Sequence, residues 1–308
     1  MEEGVNVSVR NAQGRGLAAL ISGAVCIGFA PVWVRWSEVG PIPTAFHRIM
    51  LALPALALWA WWERPRNLVE AGREQVGPRR QLLTRETAWI IAAGVFFALD
   101  LAAWHSSIHL TSVANATLLA NFAPVFVMLG AWVFLGERVG IRFLAGMVIA
   151  LAGAWLLTGA RFGTSPLPQF RGDMIALLTA VFYGGYQLCV ARLRRGLPPG
   201  RTLFFSSLVT APVLGVMAWV AGDSLVPSTL RAWLILAALA ISAQVMGQGL
   251  ITYGFAHLPA GYSSLTLLVQ PAVATLTGWW LFGERVDLAR ALGAVVLLAG
   301  LFVARRRV

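Results

Sequence analysis

Asp100, Trp104 and His105 stand inside an otherwise apolar stretch, and Asp100 is the one acid set deep within any such stretch of the chain. A carboxylate in hydrocarbon is costly, so it faces a bundle interior or a wet path, where it binds a cation, relays a proton or pairs with a polar group. About twelve residues into its helix, Asp100 would lie about 18 Å along the axis, past mid-depth. Asp100 and Trp104 are four residues apart and share a helix face. Matching Ala88-Trp89 with Ala232-Trp233 sets Gln244 against Asp100 and Gln248 against Trp104, again on one face. Two readings fit this group: the lining of a shared solute cavity, or a hydrogen-bonded cluster that glues helices together.

Further polar residues share this pattern. Tyr183, Tyr186 and Gln187 recur at i, i+3, i+4 spacing in the middle of a later apolar stretch. They line a cavity or find partners within the bundle. Asn121 lies near Pro124, and Gln270 precedes Pro271. Each proline lacks an N–H and leaves a carbonyl, that of Ala120 or Leu267, without its helical donor. In hydrocarbon such carbonyls turn to side chains, water or a ligand. Pro124 and Pro271 therefore read as hinges, with Asn121 and Gln270 either satisfying the freed backbone or touching a solute. Arg48 breaks the internal repeat described below, whose matching position holds Ser206. It either binds a substrate carboxylate or snorkels outward to meet Glu38.

Catalytic constellations are not legible. The chain has no HExxH, no GxSxG and no paired acids, and His47, His105, His109 and His257 are scattered. Cys26 and Cys189 lie in apolar stretches without metal-site spacing. No enzyme activity, metal or cofactor is expected.

The elements that would position these residues follow from composition. At 58% hydrophobic and 12% charged residues, the chain falls outside the soluble globular range. Apolar stretches of about eighteen or more residues, each able to cross ~30 Å of hydrocarbon, recur along it. They predict an all-α integral membrane protein with ten transmembrane helices at about 16–36, 41–62, 86–108, 112–135, 140–159, 172–192, 202–221, 231–256, 260–282 and 288–304. The longest connection, Glu63–Thr87, reads as a solvated loop or a helix on the membrane surface. The net charge of +11 comes from 24 arginines without a lysine, set between apolar stretches. Loop arginines signal topology rather than nucleic acid, so the expected partners are the lipid bilayer and a small molecule.

An internal repeat organises the chain. Pro124, Trp132, Gly136-Glu137-Arg138-Val139, Gly146 and Gly153 return as Pro271, Trp279, Gly283-Glu284-Arg285-Val286, Gly293 and Gly300, each 147 positions later. This predicts two five-helix halves, 1–160 and 165–308, joined by a linker at 161–170. With the N-terminus inside, seventeen arginines fall on the cytoplasmic side and six outside, which places both termini in the cytoplasm. Five spans, an odd number, separate matching elements, so the halves would be inverted. Inverted repeats mark secondary transporters with a midplane site between the halves. The glycine stripes at 146/153 and 293/300 read as close-packing faces that bind each half together or support a dimer.

Ten spans in two halves, each closing with a proline helix, a Gly-Glu-Arg turn and a glycine-rich helix, resemble the EamA family of the drug/metabolite transporter superfamily. Arg48 followed by Ala52 fits that family's second helix. The resemblance covers the whole chain and implies export of small metabolites across a bacterial inner membrane by alternating access. Amino acids are the favoured cargo, and the aromatic amino acid exporters of the YddG type are the narrower resemblance. Small multidrug exporters of the superfamily couple protons through a first-helix carboxylate. This chain has none there, which leaves Asp100 as the proton-coupling candidate, with facilitated export as the alternative. A nucleotide-sugar or sugar-phosphate antiporter would place several cations in its spans, and Arg48 is alone here. A membrane scaffold would explain neither the repeat nor the buried polar faces. A homodimer is compatible, but a monomer suffices.

Overall fold

The structure, a computed structural model, describes residues 2–63, 79–111, 113–158, 167–282 and 288–304. Every regular element among them is helical, as hydrocarbon requires of a chain that must satisfy its backbone within each segment. In order these are α1 (Glu2–Gly28), α2 (Ala30–Trp36), α3 (Pro41–Met50), α4 (Leu53–Trp62) and α5 (Arg79–Leu110). Next come α6 (Val113–Ala120), α7 (Ala123–Gly130), a π-helical turn (Ala131–Leu135), α8 (Ile141–Thr158), α9 (Leu167–Leu193) and α10 (Pro199–Val220). The chain continues through α11 (Leu230–Leu239), a longer π-helical segment (Ala240–Gln248), α12 (Gly249–Gly254), α13 (Ala260–Thr266), α14 (Val269–Phe282) and α15 (Leu288–Ala304).

Each apolar stretch seen in the sequence is helical where described. Among the described residues, seven helical stretches have the length and hydropathy of a complete crossing, and Ile141–Leu157 and Leu288–Ala304 are shorter apolar helices. α5 begins at Arg79 rather than near 86, so the connection after Glu63 is shorter than the sequence suggested. Residues 64–78, most of the linker at 161–166, the second Gly-Glu-Arg-Val turn at 283–286 and the arginines at 305–307 lie outside the described residues.

Prolines set the internal breaks. α1 stops just ahead of Pro31, α3 ahead of Pro54, α6 ahead of Pro124 and α13 ahead of Pro271, and each helix resumes around the proline. The missing N–H and the ring's clash with the preceding turn account for the position of these breaks. Pro212, by contrast, sits inside a continuous α10. Gly136 ends the first π turn with φ 70°, a left-handed conformation that a side chain would strain.

The large apolar side chains at the surface, among them Trp61, Trp132, Phe134, Trp219, Trp280 and Phe302, contrast with buried Arg48, Asp100, Gln187, Gln244 and Gln248. This is the inside-out arrangement of a protein solvated by lipid. Between helices, close backbone approach replaces the hydrophobic effect as the packing device. A Cβ on Gly146 would fall 2.4 Å from Ala304 N, one on Gly153 2.2 Å from Leu297 N, one on Gly293 2.3 Å from Leu157 N, and one on Gly300 2.3 Å from Ala150 N. The two glycine stripes therefore pack on each other within one chain. Contact positions rise along α8 as they fall along α15, so these two helices run antiparallel.

α5 and α9 also run antiparallel. Thr111 meets Asp173 at one end, and Glu86 lies beside Gly196 at the other. Four carboxylates join the halves at these two ends. At the Thr111 end, Asp173 Oδ1 accepts the Thr111 hydroxyl at 2.6 Å, and Glu38 accepts the Thr229 hydroxyl at 2.8 Å. At the Gly196 end, Glu63 accepts the Arg201 N–H at 3.2 Å, and Glu137 accepts the N–H groups of Ala260 at 2.8 Å and Gly261 at 3.3 Å. Arg201 and Ala260 sit in the first turns of their helices, where free N–H groups and the helix dipole favour an anion.

Candidate functional site

Between the two ends lies a cavity of ≈ 70 Å³. Arg48, Asp100, Trp104, Asn121, Gln248 and Gln270 line it, with Tyr183 and the hydroxyls of Thr117 and Thr179. Its apolar wall comes from Ile27, Pro31, Phe97 and Leu101. Three of the four proline breaks open onto it, through Gly28, through Ala120 and Asn121, and through Gln270. Irregular backbone at membrane depth is tolerated where it borders such a cavity.

The polar lining is underused by the protein itself. Among the described residues, Thr117 Oγ1, Tyr183 Oη, Gln248 Oε1 and Gln270 Nε2 are buried outside good hydrogen-bond geometry, with the Tyr183 hydroxyl set beside the amides of Gln248 and Gln270. Buried polar atoms are nearly always partnered; of the eleven such atoms without a partner among the described residues, these four border the cavity, and the others belong to Trp33, His105, Tyr186, Gln187, Thr252 and Ser264. Asn121 has a local partner: Nδ2 donates to Thr117 O at 2.7 Å. Its amide is thus spent on that carbonyl rather than on the Ala120 carbonyl that Pro124 frees.

Arg48 is buried in the cavity wall and does not snorkel to Glu38, whose carboxylate receives Thr229 instead. Arg48 Nε donates to Gln244 Oε1 at 3.3 Å, and Gln244 Nε2 donates to Ser207 Oγ at 3.4 Å. The guanidinium carbon lies 5.9 Å from the centroid of the Phe97 ring, within cation–π range. Phe97 in turn stacks on Tyr186 at 4.3 Å and 18°. Gln244 and Gln248 both belong to the Ala240–Gln248 π-helical segment. π segments are rare and are frequently found at functional sites.

The sequence-predicted residues thus fall into two tiers. Asp100, Trp104, Tyr183, Gln248, Asn121, Gln270 and Arg48 reach the cavity. Gln244 stands behind Arg48 and Tyr186 behind Phe97, whereas His105 Nδ1 is engaged with Pro41 O at 3.1 Å. Both amide atoms of Gln187 are buried without a partner away from this cavity. The sequence reading missed Thr117, Thr179, Phe97, Ser207 and Pro31. Helical spacing offered a signal for three of them: Thr117 precedes Asn121 by four residues, Thr179 precedes Tyr183 by four, and Phe97 precedes Asp100 by three. Pro31 carried the same break signal as Pro124.

A second cavity, of ≈ 290 Å³, lies at the Gly196 end and is lined by Glu137, Arg194, Arg195 and His257. Arg194 Nε also donates to Thr252 O at 3.1 Å.

Comparison with known proteins gives this arrangement its context. The model of the EamA-like transporter family matches the chain twice, over residues 14–159 and 170–306. The chain is 28% identical over 219 residues to the pseudopaline exporter CntI of Pseudomonas aeruginosa, covering 71% of this chain and 74% of that protein. It is 26% identical over 293 residues to an uncharacterized transporter of Archaeoglobus fulgidus, covering 94% and 96%. A riboflavin transporter of Rhizobium johnstonii is 26% identical over 220 residues, covering 68% of each. A solved crystal structure shares the fold, with a TM-score of 0.71 at 21% identity over 96% of both chains. The chain belongs to the EamA-like transporter family and is a multi-pass membrane transporter of small molecules.

Proposed function

We propose that this protein exports amino acids, favouring those with apolar or aromatic side chains, by alternating access through the central cavity between its two halves. The observation that carries this reading is the set of buried polar atoms outside good hydrogen-bond geometry, Thr117 Oγ1, Tyr183 Oη, Gln248 Oε1 and Gln270 Nε2, around one cavity beside Arg48 and Asp100. The lining combines hydrogen-bonding groups with the aromatic faces of Phe97 and Trp104, which suits a small solute with a polar head and an apolar side chain. The named relatives carry different solutes, so the choice of cargo rests on the cavity rather than on kinship.

The reading takes the chain as ten crossings in two inverted halves with cytoplasmic termini. The antiparallel pairing of α8 and α15 supports inversion. On that topology the Thr111 end is external and the Gly196 end cytoplasmic, and each end is held shut by two carboxylates bonded between the halves. At ≈ 70 Å³ the cavity is well below the roughly 300–1,000 Å³ of ligand pockets that hold drug-sized molecules. Solute entry therefore requires release of one end at a time, with the proline breaks absorbing the motion. Asp100 is the site at which a proton would couple to this cycle.

Accessibility tests the route. In a background lacking Cys26 and Cys189, cysteines placed at 104 and 248 are expected to react with hydrophilic thiol reagents, and saturating amino acid is expected to slow the reaction. Labelling unaffected by any amino acid at both positions would remove the cavity from the transport path.

A further inference from the structure

The cavity is lined by an arginine and an aspartate that feel each other's charge without touching. Arg48 and Asp100 are 2% and 6% exposed and line the same space, yet no ion pair within 4.0 Å joins them among the described residues. Buried charges are ordinarily paired, because each one alone carries a large desolvation cost. Here the arginine is anchored from behind instead. Its Nε is committed to Gln244, and Gln244 is itself held by Ser207. The remaining four N–H donors of the guanidinium fork have no hydrogen-bond partner among the described residues, and neither has the Asp100 carboxylate.

We infer that Arg48 and Asp100 form a dipolar receptor for a zwitterion, with the substrate carboxylate on the Arg48 guanidinium and its ammonium on Asp100. Gln244 and Ser207 are positioning residues that aim the guanidinium. The inference rests on the amino-acid reading above and sharpens it. A zwitterion brings no net charge into the bundle and satisfies both buried ions at once. A dianionic solute would meet one arginine and be repelled by Asp100. A neutral solute would leave both charges uncompensated. Phe97 and Trp104 bound the same space and receive the apolar side chain.

Matched probes test this with the full-length protein in detergent, read as ligand-induced shifts of the unfolding midpoint over a concentration series. The set is phenylalanine, 2-phenylethylamine and 3-phenylpropionate, with the leucine counterparts isopentylamine and 4-methylpentanoate, and a dipeptide series for longer zwitterions. Each charge-assisted contact corresponds to about 10- to 100-fold in affinity. The zwitterion is therefore expected to bind the wild-type protein about 10- to 100-fold more tightly than either half-molecule. In Arg48→Gln, phenylalanine and phenylethylamine are expected to bind alike. In Asp100→Asn, phenylalanine and phenylpropionate are expected to bind alike. Gln244→Leu is expected to weaken carboxylate-bearing probes while leaving the amine unchanged. The wild-type series decides the question even where a variant fails to fold.

Half-molecules that bind the wild-type protein as tightly as phenylalanine overturn the dipolar receptor while amino-acid transport stands. Dipeptides that bind where single amino acids do not overturn the amino-acid reading while the receptor stands. Binding confined to the singly charged amines or carboxylates overturns both.

Discussion

The Glu137 carboxylate accepts the backbone N–H of Ala260 at 2.8 Å and that of Gly261 at 3.3 Å, so the turn that closes the first half caps a helix of the second. The Gly-Glu-Arg turn looks in sequence like a connector between two apolar runs. In the fold it is a clasp, and Glu63 on Arg201 N repeats the device nearby. Removing a cap costs about 0.5–2 kcal/mol, so breaking one clasp would shift an open–closed equilibrium by roughly 2- to 30-fold.

We therefore expect Glu137→Ala to raise the labelling rate of a cysteine placed at Leu258 from the cytoplasmic side by that factor. Glu137→Gln, whose amide oxygen still accepts a hydrogen bond, should fall in between. Unchanged rates in both variants would mean that the clasp does not gate.

Thr111→Val removes the hydroxyl that Asp173 accepts at the opposite end. It is expected to act in the reverse sense, slowing labelling at Leu258 and speeding that of a cysteine at the Thr111 end, such as at Leu110. Movement of both rates in the same direction would show general loosening rather than gating.

The glycine stripes make a packing prediction. A side chain at Gly153 or Gly300 would collide with backbone atoms at 2.2–2.3 Å, and overpacking costs about 1–3 kcal/mol or more. Gly153→Val and Gly300→Val should lower the unfolding midpoint and the yield of folded protein. At Gly140 an added Cβ meets no atom within 4 Å, so Gly140→Ala should be close to neutral. Equal effects at all three positions would refute the interlocked seam.

The poorly partnered cavity groups predict a separation of stability from function. Replacing a buried polar atom that makes no good hydrogen bond by an apolar one is close to neutral or stabilising. Tyr183→Phe and Gln248→Leu should keep or raise the unfolding midpoint in the absence of solute while reducing transport by at least about tenfold, the value of one good polar contact. A marked loss of stability would show that these groups hold the bundle together.

The sequence carried the repeat, the helical character of each apolar stretch and the polar residues near the cavity, because each depends on spacing along one helix. Asp100 and Trp104, Asn121, and Gln248 are examples. It could not carry relations between helices. The fate of Arg48 turned on Gln244, 196 positions away, and that of the glycine stripe on a partner stripe in the other half. Sequence alone offered packing within each half or a dimer face and gave no sign that the two stripes meet each other, since every such contact needs small residues at the same spacing. The π-helical segment that presents Gln244 and Gln248 was also hidden, because its composition does not differ from that of an α-helix. The carboxylate clasps were unreadable for a related reason: their acceptors are backbone N–H groups, which every residue but proline possesses.

The most direct test of the account is movement of labelled phenylalanine, tryptophan, methionine and threonine into liposomes containing the purified protein, against empty vesicles, with a nucleotide-sugar set in parallel. The account predicts saturable amino-acid uptake that is lost in Gln248→Leu and Arg48→Gln. Uptake that persists without a proton gradient would make the transport facilitative, and uptake that survives unchanged in Asp100→Asn would remove Asp100 from the substrate site. Failure of every amino acid to move, with nucleotide sugars exchanging instead, would contradict it.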